Sequence, residues 1–392
     1  MLKQRHIIYA CAVLMDFGVA AILFAVTRRA AELNATGMQL GWLWAMWSLV
    51  YAIAALFTGR WSDRLGRRRF TACGTAAAAV LILACNFTTN IPLLLVLTSG
   101  FGAALSAFWP PIMGWLSAGA PDSATLNARL SKFCISWTTG LLAGFAATGF
   151  VYQHWPALAF WIPTGAMLLI LTLLALPVQP DNAAAESIGR IAPLIVIQKG
   201  RGFRKTAWLA NFAVTLAFCG VVALFPQLAT ARGISADVHG SILALGRGAG
   251  LGAFLVLPHL RFWHTRLWPL WLAQLLAVGG AIAIGLGNST WVFAAGFTAI
   301  GFVSGYTYLA SLYFTMEELT EKGKGGGFHE AVLGAGMFLG PVAAGWVGEH
   351  YSIRAPYYFC AAVLAVLIVA QMVLVFWRRH SLAANQVPLS SR

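Results

Sequence analysis

Three positions in this chain place ionisable groups where such groups are expensive. Asp16 lies near the middle of the apolar run 7–26 and Arg247 near the middle of 237–258. Glu330, preceded by His329, falls just inside the run 328–349. A charge at mid-membrane depth costs about 2.5–3.5 kcal/mol or more, so it is usually kept to handle a solute or ion, or paired. Asp16 and Arg247 carry opposite charges. They can pair with each other or bind the two ends of a zwitterionic or anionic solute, and Asp16 can exchange a proton. The plainer alternatives are a structural ion pair and, for Glu330, an acid complementing the dipole in a first helical turn. Asn211 follows Asp16 by 195 residues and is expected to be its second-half counterpart. Tyr306, Tyr308 and Trp109 could complete a polar and aromatic lining, or simply pack between helices. Pro110 and Pro111, next to Trp109, predict a break in that helix.

The elements that hold these groups are apolar runs. Of the 392 residues, 59% are hydrophobic and 10% charged, and the mean hydropathy is +0.76. So few charges cannot cover a water-facing surface, which excludes a soluble enzyme, a disordered chain and a secreted scaffold. A bilayer span takes about 20 apolar residues. Twelve runs qualify, near 7–26, 39–59, 70–87, 91–117, 133–152, 157–178, 206–229, 237–258, 267–287, 290–315, 328–349 and 356–377. Each must be helical, because lipid satisfies no backbone polar group. The basic start Met1 to His6 leads into the first run, which reads as a retained helix because it carries Asp16 and ends in Thr27-Arg28-Arg29. Trp42, Trp44 and Trp47 are expected to form an interfacial belt. Six scattered cysteines read as small core residues, and no metal-ligand spacing occurs.

The net charge of +14 follows the loops. With the N-terminus in the cytoplasm, 21 Lys and Arg fall on the inner face and four on the outer, with Arg247 inside a span. This bias puts both termini in the cytoplasm and makes anionic headgroups, not nucleic acid, the partner of the excess charge. The expected organisation is an N-terminal six-helix bundle (1–178), a cytoplasmic linker (179–205) with an apolar stretch suited to the interface, a C-terminal six-helix bundle (206–377) and a tail (378–392). A repeat supports the division. Gly140, Gly144, Gly149, His154 and Trp155 recur as Gly336, Gly340, Gly345, His350 and Tyr351, shifted by 196 residues.

Between the second and third runs stands Gly59-Arg60-Trp61-Ser62-Asp63-Arg64-Leu65-Gly66-Arg67-Arg68-Arg69. Its Gly59, Asp63, Arg64, Gly66, Arg67 and Arg68 closely resemble the signature loop of the major facilitator superfamily, G-x-x-x-D-R-x-G-R-R/K, at the place that family has it. The resemblance covers essentially the whole chain. It implies an all-α membrane fold of twelve helices in two pseudo-symmetric six-helix bundles that expose a midplane cavity to each side in turn. It also implies that Asp63 latches the cytoplasmic end near Phe328 to Glu330, with Asp122 a partner for Arg64 or Arg67. Two further family motifs are degraded here. Val96 stands where many proton-coupled exporters carry arginine, and Gly144-Phe145 replaces their Gly-Pro pair. The usual drug-antiport mechanism is therefore not implied.

The function expected is secondary active transport of a small organic solute, coupled to protons or another ion, by a monomer in the cytoplasmic (inner) membrane. The alternatives are a lipid or amphiphile flippase on the same fold and a non-transporting membrane sensor. No nucleotide, zinc or serine-hydrolase motif is present, so neither an enzyme nor a cofactor is expected. A fluorescent protein that matures only in the cytoplasm, fused after Arg392, is expected to fluoresce. A dark fusion of correctly inserted protein would reverse the orientation.

Overall fold

The computed structural model describes residues 2–117, 123–179, 203–260, 262–318 and 322–384. The apolar runs are helices: α1 Gln4–Glu32, α2 Gly37–Leu65, α3 Arg67–Asn86, α4 Ile91–Ser106, α5 Trp109–Ser117, α6 Ser123–His154, α7 Trp161–Ala175, α8 Arg204–Ala231, α9 Ala236–Val256, α10 Trp268–Leu286, α11 Thr290–Glu318, α12 Lys322–His350 and α13 Ala355–Ala384. Twelve segments of the described chain are long and apolar enough to cross a membrane, with α4 and α5 forming one of them. The break between those two comes at Ala107–Phe108, where Pro110 and Pro111 can offer no amide to the preceding turn. Asn90 starts the same span by accepting from the Leu93 amide at 3.0 Å.

Helices α1–α7 and α8–α13 make the two six-span bundles. At one end of the first bundle, the terminal end, Leu2–Lys3 pairs in parallel with Val178–Gln179. Within the bundles, α1 crosses α6 and α8 crosses α12; between them, α6 packs on α9 and α2 on α12. Gly140 lies against the Val13 carbonyl and Phe17 amide, and Gly336 against the Phe212 carbonyl and Leu216 amide. Gly102 abuts the Trp47 carbonyl, and Gly301 abuts that of Gly246. The early helices of the halves therefore superimpose with a shift of 199 residues, against 196 for α6 and α12. The first half spends three more residues between its fourth and fifth spans.

The bundles meet most closely at the end opposite this strand pair, the far end. A Cβ on Gly149 would sit 2.7 Å from the Ala236 carbonyl oxygen, and one on Gly345 would sit 2.6 Å from that of Gly37. Each contact carries a helix cap supplied across the interface. Glu349 Oε2 accepts from the Met38 amide at 3.0 Å and from Thr36 Oγ1 at 2.8 Å, at the start of α2. Gln153 Oε1 accepts from the Ala236 amide at 2.8 Å, at the start of α9. The first amides of any helix lack internal partners, so each half completes a helix of the other.

Two expectations need correction. Trp44 and Trp47 are buried, and half-buried Trp42 lies 6.2 Å from the Phe338 ring of α12 across the bundles. The side chains of α2 here face protein because this helix lines the interface, so they form no belt. Cys73 is exposed and Cys134 half-buried, while the other four cysteines are buried. The linker beyond Gln179 and the last eight residues lie outside the described residues.

A helix cap contributes about 1 kcal/mol, roughly a fivefold population shift. Gln153→Ala and Glu349→Ala are each expected to open the far end by about that factor. Spin-label distances between the far ends of α2 and α12 check it, and unchanged distance distributions in the double variant would contradict it.

Candidate functional site

Asp16 sits at the α1–α6 crossing, where Gly140 and Gly144 let the two backbones close up. It is 8% exposed. Arg247 stands between Gly246, which abuts α11, and Gly248, which faces the Leu142 side chain of α6. Its guanidinium lies 4.4 Å from the centre of the Phe218 ring on α8, a cation–π contact of about 0.5–2 kcal/mol. The two charges come from different halves and feel each other electrostatically. They make no N–O contact within 4.0 Å, and Arg247 Nε has no hydrogen-bond partner. Tyr51 of α2 lies within electrostatic range of both Asp16 and Glu330, and Cys219 of α8 within range of Arg247.

The Glu330 side chain is 62% exposed and lies within hydrogen-bonding range of Tyr308. The helix α12 begins at Lys322, eight residues earlier. The first-turn dipole reading of Glu330 is therefore overturned. The neighbouring His329 puts its Nε2 4.0 Å from Glu330 Oε1. Its buried ring shares a 2.8 Å hydrogen bond with Ser311 and meets Tyr308 edge-on at 4.8 Å. Tyr308 also packs edge-on against Trp137 of α6 and Phe254 of α9, at 6.5 and 5.7 Å. That aromatic junction joins the halves beside Glu330.

Other expected residues lie apart. The 199-residue shift carries Asp16 to Thr215 and Arg247 to Ser48, so Asn211 corresponds to Ala12, not Asp16. Asn211 is 1% exposed, with neither amide atom bonded. Tyr306 belongs to a cluster inside the second bundle, edge-on to Trp263 at 5.8 Å. Trp109 packs between Phe108 and Phe133 at 5.0 and 5.7 Å inside the first bundle. Both are packing residues here.

In the signature loop, Gly66 has φ of +89° and separates α2 from α3, a conformation for which glycine is the default residue. Arg67 donates to the Gly114 carbonyl at 2.6 Å, and Arg68 donates to the carbonyls of Leu174 and Leu176. These two arginines tie the α3 start to α5 and α7. Arg64 is exposed. The side chains of Gly59 and Asp63, and all of Asp122, lie outside the described residues, as do the latch contacts expected of them.

Sequence reasoning missed Phe218, Tyr51 and His239, and assigned Trp44 to an interfacial belt. The His239 ring is wholly buried at the far end between Phe24 and Phe225, at 4.7 and 5.1 Å. A histidine inside an apolar run was the available signal.

Twelve spans in two bundles around interior charges define a polytopic membrane transporter. A sequence profile of the Major Facilitator Superfamily matches residues 8–328 and 318–391, and the chain belongs to that family. Its members are transporters and not enzymes. It is 26% identical over 320 residues to the 3-(3-hydroxy-phenyl)propionate transporter of Escherichia coli, covering 79% of this chain and 77% of that one. An uncharacterised MFS-type transporter of Methanocaldococcus jannaschii is 22% identical over 387 residues, covering 93% and 96%. The structure resembles that of the nucleoside transporter NupG, with a TM-score of 0.71 at 13% identity, covering 95% of this chain and 99% of that one. It also resembles a bacterial homologue of the human lysosomal transporter Spinster in an inward-facing, unoccupied conformation. That match has a TM-score of 0.67 at 15% identity and covers 97% and 99%.

Phe218→Leu keeps the bulk beneath Arg247 and removes the ring. Solute binding is expected to weaken about two- to thirtyfold, with thermal unfolding unchanged; equal affinity would show that the ring does not hold the guanidinium.

Proposed function

We propose that this protein couples the movement of a small organic solute to a proton, with Asp16 as the proton carrier and Arg247 as the solute anchor. The observation that carries the reading is the unclosed gap between these two groups. Opposite charges from two mobile bodies lie within electrostatic reach in the middle of the bundle and stop short of contact. A purely structural pair would be expected to close, since its desolvation is offset only by good geometry. Left unclosed, the pair keeps guanidinium donors for a third party.

The moving bodies are 1–178 and 206–377, joined by 179–205. By the charge bias, the terminal end is cytoplasmic and the membrane is the cytoplasmic one. The tight far end and the exposed carboxylate of Glu330 then correspond to an inward-facing state. Glu330 and His329, beside Tyr308, form a second polar station on the way to the cytoplasm. The signature loop around Asp63 biases the cytoplasmic gate, and a single chain is the working unit.

Asp16→Asn is expected to abolish solute accumulation driven by a pH gradient in proteoliposomes, while downhill exchange and folding persist. Undiminished pH-driven accumulation in that variant would remove Asp16 from the coupling step.

A further inference from the structure

A guanidinium enclosed in an apolar bundle needs one counter-anion, and at this site two could supply it. We infer that the solute is an organic monocarboxylate whose carboxylate replaces Asp16 as the counter-ion of Arg247, so that one proton and one anion cross together without net charge. The inference rests on the transporter reading above and adds the substrate class and stoichiometry.

The geometry leaves Arg247 open on the side that matters. Phe218 covers one face of the guanidinium at 4.4 Å. Nε has no partner, and no described residue accepts from the other two nitrogens. A guanidinium edge is matched in shape by a carboxylate through two parallel hydrogen bonds. Buried Trp44 lies against Cys219, which is itself within electrostatic range of Arg247, so the surroundings suit an apolar body.

Charge balance supplies the coupling. Around Asp16 the titratable groups are Arg247 from α9 and Tyr51 from α2. From α8, Cys219 stands beside Arg247. Among the described residues, α6 and α7 pack on this stretch of α1 with Gly140, Gly144 and Met167, against Val13, Phe17 and Gly18. Glu330 of α12 acts on Tyr51, Tyr308 and Cys134 instead. Among the described residues, Arg247 is thus the one cation acting on Asp16, and it can balance one anion. A second ionised carboxylate would be buried without compensation, which is strongly unfavourable. When the solute's carboxylate takes the guanidinium, a proton from the open side forms an O–H bond on Asp16. When the solute leaves, that bond breaks and Asp16 recovers its counter-ion. The cargo is one anion and one proton.

The pseudo-symmetric positions Thr215 and Ser48 carry no charge, so the second half of the frame cannot duplicate the exchange.

The test is calorimetric titration of the full-length purified protein with benzoate, phenylacetate and hexanoate, each against its primary amide and matching amine. Two buffers of different ionisation enthalpy count the protons. At least one carboxylate is expected to bind with about one proton taken up, its affinity falling about tenfold per pH unit once Asp16 is ionised. Asp16→Asn is expected to bind the same anion with no proton uptake and a flat pH profile. Arg247→Gln is expected to lose at least about thirtyfold in affinity. Arg247→Lys retains part of the binding and serves if the glutamine variant fails to fold. Preference for amides or amines, anion binding without proton uptake in the wild type, or silence of every carboxylate would overturn the inference. Proteoliposomes separate the two levels. Uptake of a neutral solute driven by a pH gradient sinks this inference alone, whereas no gradient-driven flux of any solute sinks the transporter reading with it.

Discussion

A guanidinium without a bonded partner, held midway through an apolar bundle, is the constraint around which the rest of this molecule is arranged. Arg247 can occupy that depth because Phe218 shields one face and Asp16 supplies a field from across the interface. Neither contact saturates its donors. A fully satisfied buried pair would be inert, since separating it leaves an uncompensated charge. An unsaturated one is poised to accept a ligand, and any change in its occupancy must be balanced by a proton or an ion.

The frame around it is close to two-fold symmetric, and the chemistry is not. Glycine contacts repeat faithfully between the halves, Gly102 on Trp47 as Gly301 on Gly246. The same operation turns Asp16 into Thr215 and Arg247 into Ser48. Symmetry serves the rocking of two similar bodies, which need matching surfaces to close alternately. One half contributes the acid and the other the arginine, and the symmetry mate of each is uncharged.

Closure of the far end follows from backbone chemistry. Where Gly149 and Gly345 bring the bundles into main-chain contact, the exposed starts of α2 and α9 need acceptors, and Glu349 and Gln153 provide them from the opposite half. The cost of opening that end is thereby tied to uncapping two helices. At the terminal end, Arg67 and Arg68 bind carbonyls of their own bundle. They tie the start of α3 to α5 and α7.

The sequence by itself determined the spans, their number and the family signature, because hydrophobic length and a loop motif are local properties. It also exposed Asp16 and Arg247, since a charge in an apolar run is conspicuous without any structure. Tertiary structure decided everything that depends on register. A three-residue difference before the fifth span, invisible to a half-chain repeat count, moved the partner of Asp16 from Asn211 to Thr215. Helix length removed Glu330 from the first turn, and helix facing took Tyr306 and Trp109 into bundle cores while drawing Trp44 and Phe218 to the site. Side-chain direction around a helix turns by about 100° per residue, so which apolar neighbour faces a charge is fixed only once the helices have packed.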